Sequence, residues 1–184
     1  WVIAARSPKA GKLSIVPADH LRGPRGENGV KVTFLMGQGP AAKKVSERVQ
    51  PLVNLSVSDG ATPDVAVTST EKWSAHWEGQ LVTTGAGRYA FDLQSSGPVK
   101  LVIDGKTILD RAGKNSSKGP ATVDLPANKA LPFSIAFTHN KGTSRCRFFW
   151  VPPQTKAQAD PLRLLERVKQ DGTTLLVLEG ADDW

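Results

Sequence analysis

The sequence predicts a mostly β protein, an antiparallel β-sandwich with a C-terminal helix–strand extension. Two observations point to the sandwich: apolar residues alternate with polar ones at period two in several short segments, and turn-forming residues separate those segments at regular intervals. A third points to the extension, because helical spacing of apolar residues appears only near the C-terminus.

The strands are legible in order. Val30, Val32 and Phe34 alternate with Lys31, Thr33 and Leu35, as in a strand with one buried face. Val53, Leu55 and Val57 repeat the pattern ahead of the turn Ser58-Asp59-Gly60. Trp73, Ala75 and Trp77 share one face, with Ser74, His76 and Glu78 on the other. After Gly85-Ala86-Gly87, the residues Tyr89, Phe91 and Leu93 fall together. Residues 100–103 and 106–109 flank Asp104-Gly105, a two-residue hairpin turn whose glycine accepts positive φ. Val123 and Leu125 precede the turn at 126–129; Phe133, Ile135 and Phe137 form the next strand. Arg145 to Val151 forms the last strand and stops at Pro152-Pro153, which cannot continue a ladder. Roughly eight or nine strands at this spacing argue for a sandwich. Beyond it, Asp160 and Pro161 suit a helix start, Leu162, Leu165 and Val168 share a face, and the apolar run from Thr173 to Leu178 reads as a buried strand. That helix and strand belong either to a neighbouring α/β domain or to an ordinary extension packed on the sandwich. The expected organisation is a lead-in over 1–28, a sandwich over 29–153 and the extension over 154–184.

Composition excludes several classes. A chain of 184 residues buries an adequate core without disulfides, and the lone Cys146 has no partner for one. One cysteine and three separated histidines do not make a cysteine-based zinc site. No apolar run approaches the ~18 residues of a membrane span. The net charge of +7 is uneven: residues 1–48 carry +6, residues 49–150 carry +3 and residues 151–184 carry −2. Such a basic N-terminal third raises a nucleic-acid or other polyanion partner as one reading. The bases are scattered and no aromatic residues interleave with them, so a solvated surface is favoured and nucleic acid is not expected.

Four segments, in order, resemble the PA-14 family of β-sandwich domains. They are Gly29 to Phe34, Trp73 to Gly79, Gly85 to Phe91 leading to Leu101-Val102-Ile103-Asp104-Gly105, and Phe148 to Pro153. The resemblance implies that the aromatic positions Trp77, Tyr89, Phe91 and Trp150 are core, as their faces also suggest. It also implies carbohydrate binding. In adhesin-type members an adjacent pair of aspartates joined by a cis peptide holds a calcium ion that grips sugar hydroxyls. The matching positions here are Ser96 and Gly97, within a stretch, residues 94–98, that contains no acid. Asn140 matches the asparagine that completes such a site, but one amide does not replace two carboxylates. Calcium and other cofactors are therefore not expected.

Catalytic signatures are weak. No Gly-x-Ser-x-Gly elbow is present, and Gly37-Gln38-Gly39-Pro40 lacks the ending of a phosphate loop. The acids fall in turns or on strand exteriors; Asp110, just past the hairpin, is the one expected to reach the loop at 94–96. Binding is expected instead at a loop edge formed by 94–98, 111–118 and 139–145, with Ser95, Ser96, Asp110, Arg111, Lys114 and Asn140 as candidate ligand contacts. Hydroxyls and amides suit sugar hydroxyls, and the cations suit acidic sugars. The expectation is a non-catalytic carbohydrate-binding accessory module of a secreted, multidomain bacterial protein such as a glycoside hydrolase. Its partners would be a glycan, acidic in the favoured case, and a neighbouring domain; its location would be extracellular, at the cell surface or periplasmic. The alternative is a ligand-free spacer that orients its neighbour.

Overall fold

A computed structural model describes residues 11–112 and 119–153, which fall within the compact unit Gly11–Pro153. The helix and strand expected over 154–184 lie outside the described residues. The strands are β1 (Ser14–Ile15), β2 (Leu21–Arg22), β3 (Val30–Met36), β4 (Lys43–Gln50), β5 (Asn54–Val57), β6 (Trp73–Val82), β7 (Gly87–Ser95), β8 (Val99–Ile103), β9 (Lys106–Arg111), β10 (Ala121–Leu125), β11 (Ala130–His139) and β12 (Ser144–Val151). They form two antiparallel sheets. One runs β4-β3-β6-β11-β8-β9, with β2 beside β6; the other runs β1-β12-β7-β10, with β5 beside β12.

Period-two patterning produces the sandwich core. In β6 every odd-numbered residue from Trp73 to Leu81 faces inward, and buried and half-buried residues alternate along its whole length. Tyr89, Phe91 and Leu93 of β7 lie beside Phe148 and Trp150 of β12, its neighbour in the smaller sheet, all buried. The rings interlock: Phe91 stacks on Phe148 at 5.7 Å, Phe148 on Phe133 at 5.7 Å, and Tyr89 on Phe91 at 5.9 Å. Phe148 thereby ties the two sheets together, because Phe133 belongs to β11. Aromatic pairs at this separation add about 0.5–1.5 kcal/mol each beyond their burial.

The turns are built as the sequence implies. Asp104 (φ 49°) and Gly105 (φ 73°) both adopt the left-handed region, as the tight β8–β9 turn requires. Asn128 (φ 52°) sits in the β10–β11 turn, which buried Thr83 clamps: its hydroxyl donates to Pro126 O (2.7 Å) and accepts from Lys129 N (3.1 Å). Two features differ from the sequence reading. Strand pairing starts ahead of residue 29, since β1 pairs with β12 and β2 with β6; two-residue strands are too short to show a period. Strand β4 has no apolar alternation because it is an exposed edge carrying Lys43, Lys44, Glu47 and Arg48, the charged edge that discourages sheet-to-sheet association.

The chain crosses between sheets at both ends. The connections β7–β8, β9–β10 and β11–β12 all cross at one end, where the β3–β4 loop, which stays within the larger sheet, also lies. Those connections contain the three expected binding stretches.

On the outer face of the larger sheet, Lys31 of β3 lies opposite Glu78 of β6 at 2.7 Å, with His76 at 3.8 Å from the same carboxylate. The Lys31 hydrogen bond holds the Glu78 carboxyl below its ordinary value, and that bond raises Lys31. A depressed carboxyl contributes stability that is complete above the unfolded value, ~4.3, and is lost as pH falls through the folded one. A raised lysine keeps its contribution up to ~10.4 and loses it above. Glu78→Gln should therefore shrink the stability lost between about pH 6 and about pH 3 in urea titrations. An identical loss in both proteins would contradict the assignment.

Candidate functional site

The β7–β8 connection, only three residues from Ser96 to Pro98, is bound to its neighbours on every side. Ser95 Oγ donates to Gly97 O (2.8 Å). Ser96 N donates to Arg145 O (3.0 Å), and Ser96 Oγ accepts from Arg145 N (2.9 Å), extending the β7–β12 ladder by one residue. Thr138 N donates to Pro98 O (3.0 Å). Gly97 lies so close to β11 that a Cβ there would stand 2.2 Å from Thr138 O. A backbone carbonyl cannot move aside as a flexible side chain does, so this position admits only glycine.

This connection lines a cavity of about 260 Å³ with Pro98, Ala112, His139, Asn140 and Lys141. Every one of these residues lies in the three stretches that the sequence assigns to the loop edge. Asn140 Oδ1 accepts from Gln38 Nε2 (2.7 Å), and Gln38 Nε2 also donates to His139 O (2.9 Å). Gln38 sits in the loop between β3 and β4, so the segment resembling a broken phosphate loop serves to hold the β11–β12 turn. Nothing in the sequence signals that reach across 101 positions.

Behind the cavity wall lies a buried clasp. Ser144 Oγ is 2.5 Å from His139 Nδ1, and His139 Nε2 is 2.9 Å from Thr70 O. A carbonyl only accepts, so the ring carries its proton on Nε2, and Ser144 donates to Nδ1. The imidazole stacks on Trp73 at 4.7 Å. The pair resembles part of a hydrolytic triad, but Ser144 is 0% exposed and His139 3%, and a backbone carbonyl stands where a carboxylate would. A serine sealed from solvent cannot attack a substrate. The clasp holds the β11–β12 turn against the loop ahead of β6.

The candidate residues divide. Ser96 and Asn140 line the cavity, while Ser95 buttresses it through Gly97 O. Arg111 braces β7 just ahead of that loop: its guanidinium donates to Leu93 O (2.9 Å) and to Asp92 Oδ1 (2.7 Å), with the side chain only 10% exposed. It fills the edge of β7 that β10, paired only with residues 87–91, leaves open. The expectation for Asp110 is corrected. Strand alternation points it to the outer face, where it pairs with Lys100 at 3.8 Å, and the next residue, Arg111, reaches β7 instead. Lys114 lies outside the described residues. His76 is a surface residue and Trp73 is core.

The donor set does not fit calcium. Ser96 and Gly97 supply no carboxylate, the Gly97 backbone path excludes a side chain, and the amide oxygen of Asn140 is already bonded. Among the described residues no group of three or more His, Cys, Asp or Glu side chains converges as metal ligands would.

Fold and site together define a β-sandwich module with a loop-edge cavity. The PA14 domain profile matches residues 26–163, and the chain belongs to that family. Among solved structures, an anti-sigma factor domain-containing protein from Clostridium clariflavum is similar at 18% identity and a TM-score of 0.62, over 69% of this chain and 42% of that one. A β-glucosidase from Kluyveromyces marxianus, in complex with glucose, is similar at 14% identity and a TM-score of 0.60, over 81% of this chain and 20% of that one. The epithelial adhesin 6 A domain from Candida glabrata, in complex with Galβ1-3GlcNAc, is similar at 11% identity and a TM-score of 0.56, over 77% and 86%. The chain thus spans less than half of the first two proteins. No curated protein matches it.

Gly97→Ala should lower the unfolding free energy by about 2 kcal/mol or more, because the added methyl must displace β11 backbone. Urea denaturation checks this; an unchanged midpoint would mean that the loop is not held against β11.

Proposed function

We propose that the chain is a non-catalytic, calcium-independent carbohydrate-binding module whose sugar site is the loop-edge cavity. The observation that carries this reading is the convergence of the β7–β8, β9–β10 and β11–β12 connections on one open cavity lined by hydroxyl, amide and ammonium groups. Two of the similar structures hold sugars, glucose in one and a galactoside in the other, and one of those is an adhesin domain. Ser96, Asn140 and Lys141 would contact sugar hydroxyls directly. Ser95 would fix the loop that presents them, Arg111 would brace β7 just ahead of it, and Gln38 would fix Asn140. A rigid site of this kind loses little entropy on binding, which matters where contacts are few and polar.

The same comparison supports a place in a larger protein, since this chain matches one fifth of the β-glucosidase, the share an accessory module would have. A secreted or cell-surface setting, bacterial in the favoured case, suits glycan binding. Among the described residues no helix is long and apolar enough to cross a membrane. The basic charge toward the N-terminus does not amount to a nucleic-acid interface in this reading, because the bases are dispersed.

A glycan array probed with calcium and again with chelator tests the proposal. The same glycans should be retained in both conditions, with retention reduced about tenfold or more by Lys141→Ala. Binding that appears only with calcium would contradict the site. Silence across the array would favour a spacer that orients its neighbour through protein contacts.

A further inference from the structure

The smaller sheet presents an outer face that the loop-edge site does not use. Along β12, Arg145, Arg147, Phe149 and Val151 face outward, since Ser144, Cys146, Phe148 and Trp150 all face the core, and Arg145, Arg147 and Phe149 come first. Same-face residues on a strand lie about 7 Å apart, so the three form a straight row of about 14 Å. Among the described residues, two arginines on this face stand without a carboxylate. Arg88 is matched by Asp124, and Arg111 by Asp92, whereas neither Arg145 nor Arg147 has a carboxylate partner.

Arg147 is pre-positioned. Its Nε donates to Asn54 Oδ1 at 3.1 Å, and strand register places Gln94 on its other side. This bond uses the guanidinium's inner donor and leaves its two terminal amino groups for an incoming group. A planar end-on fork of that kind matches the two oxygens of a carboxylate. Arg145 is exposed beside Ser56, and its backbone N–H is the one bonded to Ser96, at the rim of the cavity. The row therefore continues from the cavity down the sheet. At its far end Phe149 is half-buried, flanked by Ile15 and Asp92, offering a flat apolar patch.

We propose that this outer face of β12 docks a uronate-bearing polysaccharide, with Arg145 and Arg147 clasping successive carboxylates and Phe149 lying against a sugar ring. The inference rests on the carbohydrate reading of the loop edge and names the acidic polymer that would run past it. Two arginines favour such a chain over duplex nucleic acid. Neutralising two phosphates gives a log–log salt slope of only about −2, far short of what a nucleic-acid interface draws on.

The full chain and the double variant Arg145→Gln/Arg147→Gln should be titrated with oligogalacturonate and with its uncharged methyl ester. The unmodified chain should prefer the acid. The double variant should lose about tenfold per arginine toward the acid and keep its affinity for the ester. Unchanged affinity for the acid in the double variant would overturn the inference. So would equal or tighter binding of dextran sulfate or duplex DNA by the unmodified chain, which would make the row a general polyanion patch. A chain that retains array glycans but gains nothing from these arginines refutes this inference alone, whereas a chain silent on the array refutes the loop-edge site.

Discussion

The contact on which the candidate site depends is the approach of Gly97 to the Thr138 carbonyl. It brings the β7–β8 connection against β11, where Pro98 O can accept from Thr138 N, and it places Ser96 within reach of Arg145. The two sheets are joined here by backbone, not only by the aromatic layer between them. One consequence is chemical. A connection this tight has no room for a side chain at 97, so the chain's path admits no carboxylate at that position. The other consequence is mechanical, because the cavity wall is held by several short hydrogen bonds and does not rely on side-chain packing alone.

Around that contact, charged and polar side chains are used mainly as struts. Arg111 closes the open edge of β7, Gln38 secures the β11–β12 turn, and the Ser144–His139–Thr70 chain seals the space behind it. The residues that remain for a ligand are fewer: Ser96, Asn140 and Lys141 at the rim, and the arginine row on the adjoining sheet face. The functional reading rests on this division of labour. A basic chain does not by itself name a partner, but two arginines lacking carboxylates beside a polar cavity favour a particular chemistry.

Much of the fold was legible in the sequence because burial on one sheet face imposes a period of two. Trp73, Ala75 and Trp77 sort onto the core face with no further information, and Asp104-Gly105 marks its turn unaided. The three loop stretches were also legible, since polar, turn-rich segments between strands run at the ends of a sandwich. Legibility failed where a role depends on contacts distant in the chain. Strand β4 lacks a buried face, so its pairing with β3 leaves no period to read. Asp110 and Arg111 are neighbours with similar claims on that end of the sandwich, and only the phase of β9 decides that the arginine turns toward Asp92 and Leu93 of β7 while the aspartate turns outward. Gln38, His139 and Ser144 gain their roles from partners that a linear reading cannot align.

The central claim is that the loop edge is a sugar site built without calcium. Following the backbone amide signals of the full chain by NMR, while adding first calcium and then glycan, tests it most directly. The account predicts that Ser96, Gly97, Asn140 and Lys141 stay unmoved in calcium and shift saturably with glycan. Saturable calcium shifts at Ser96, Gly97 and Asn140, with glycan shifts appearing only afterwards, would contradict it.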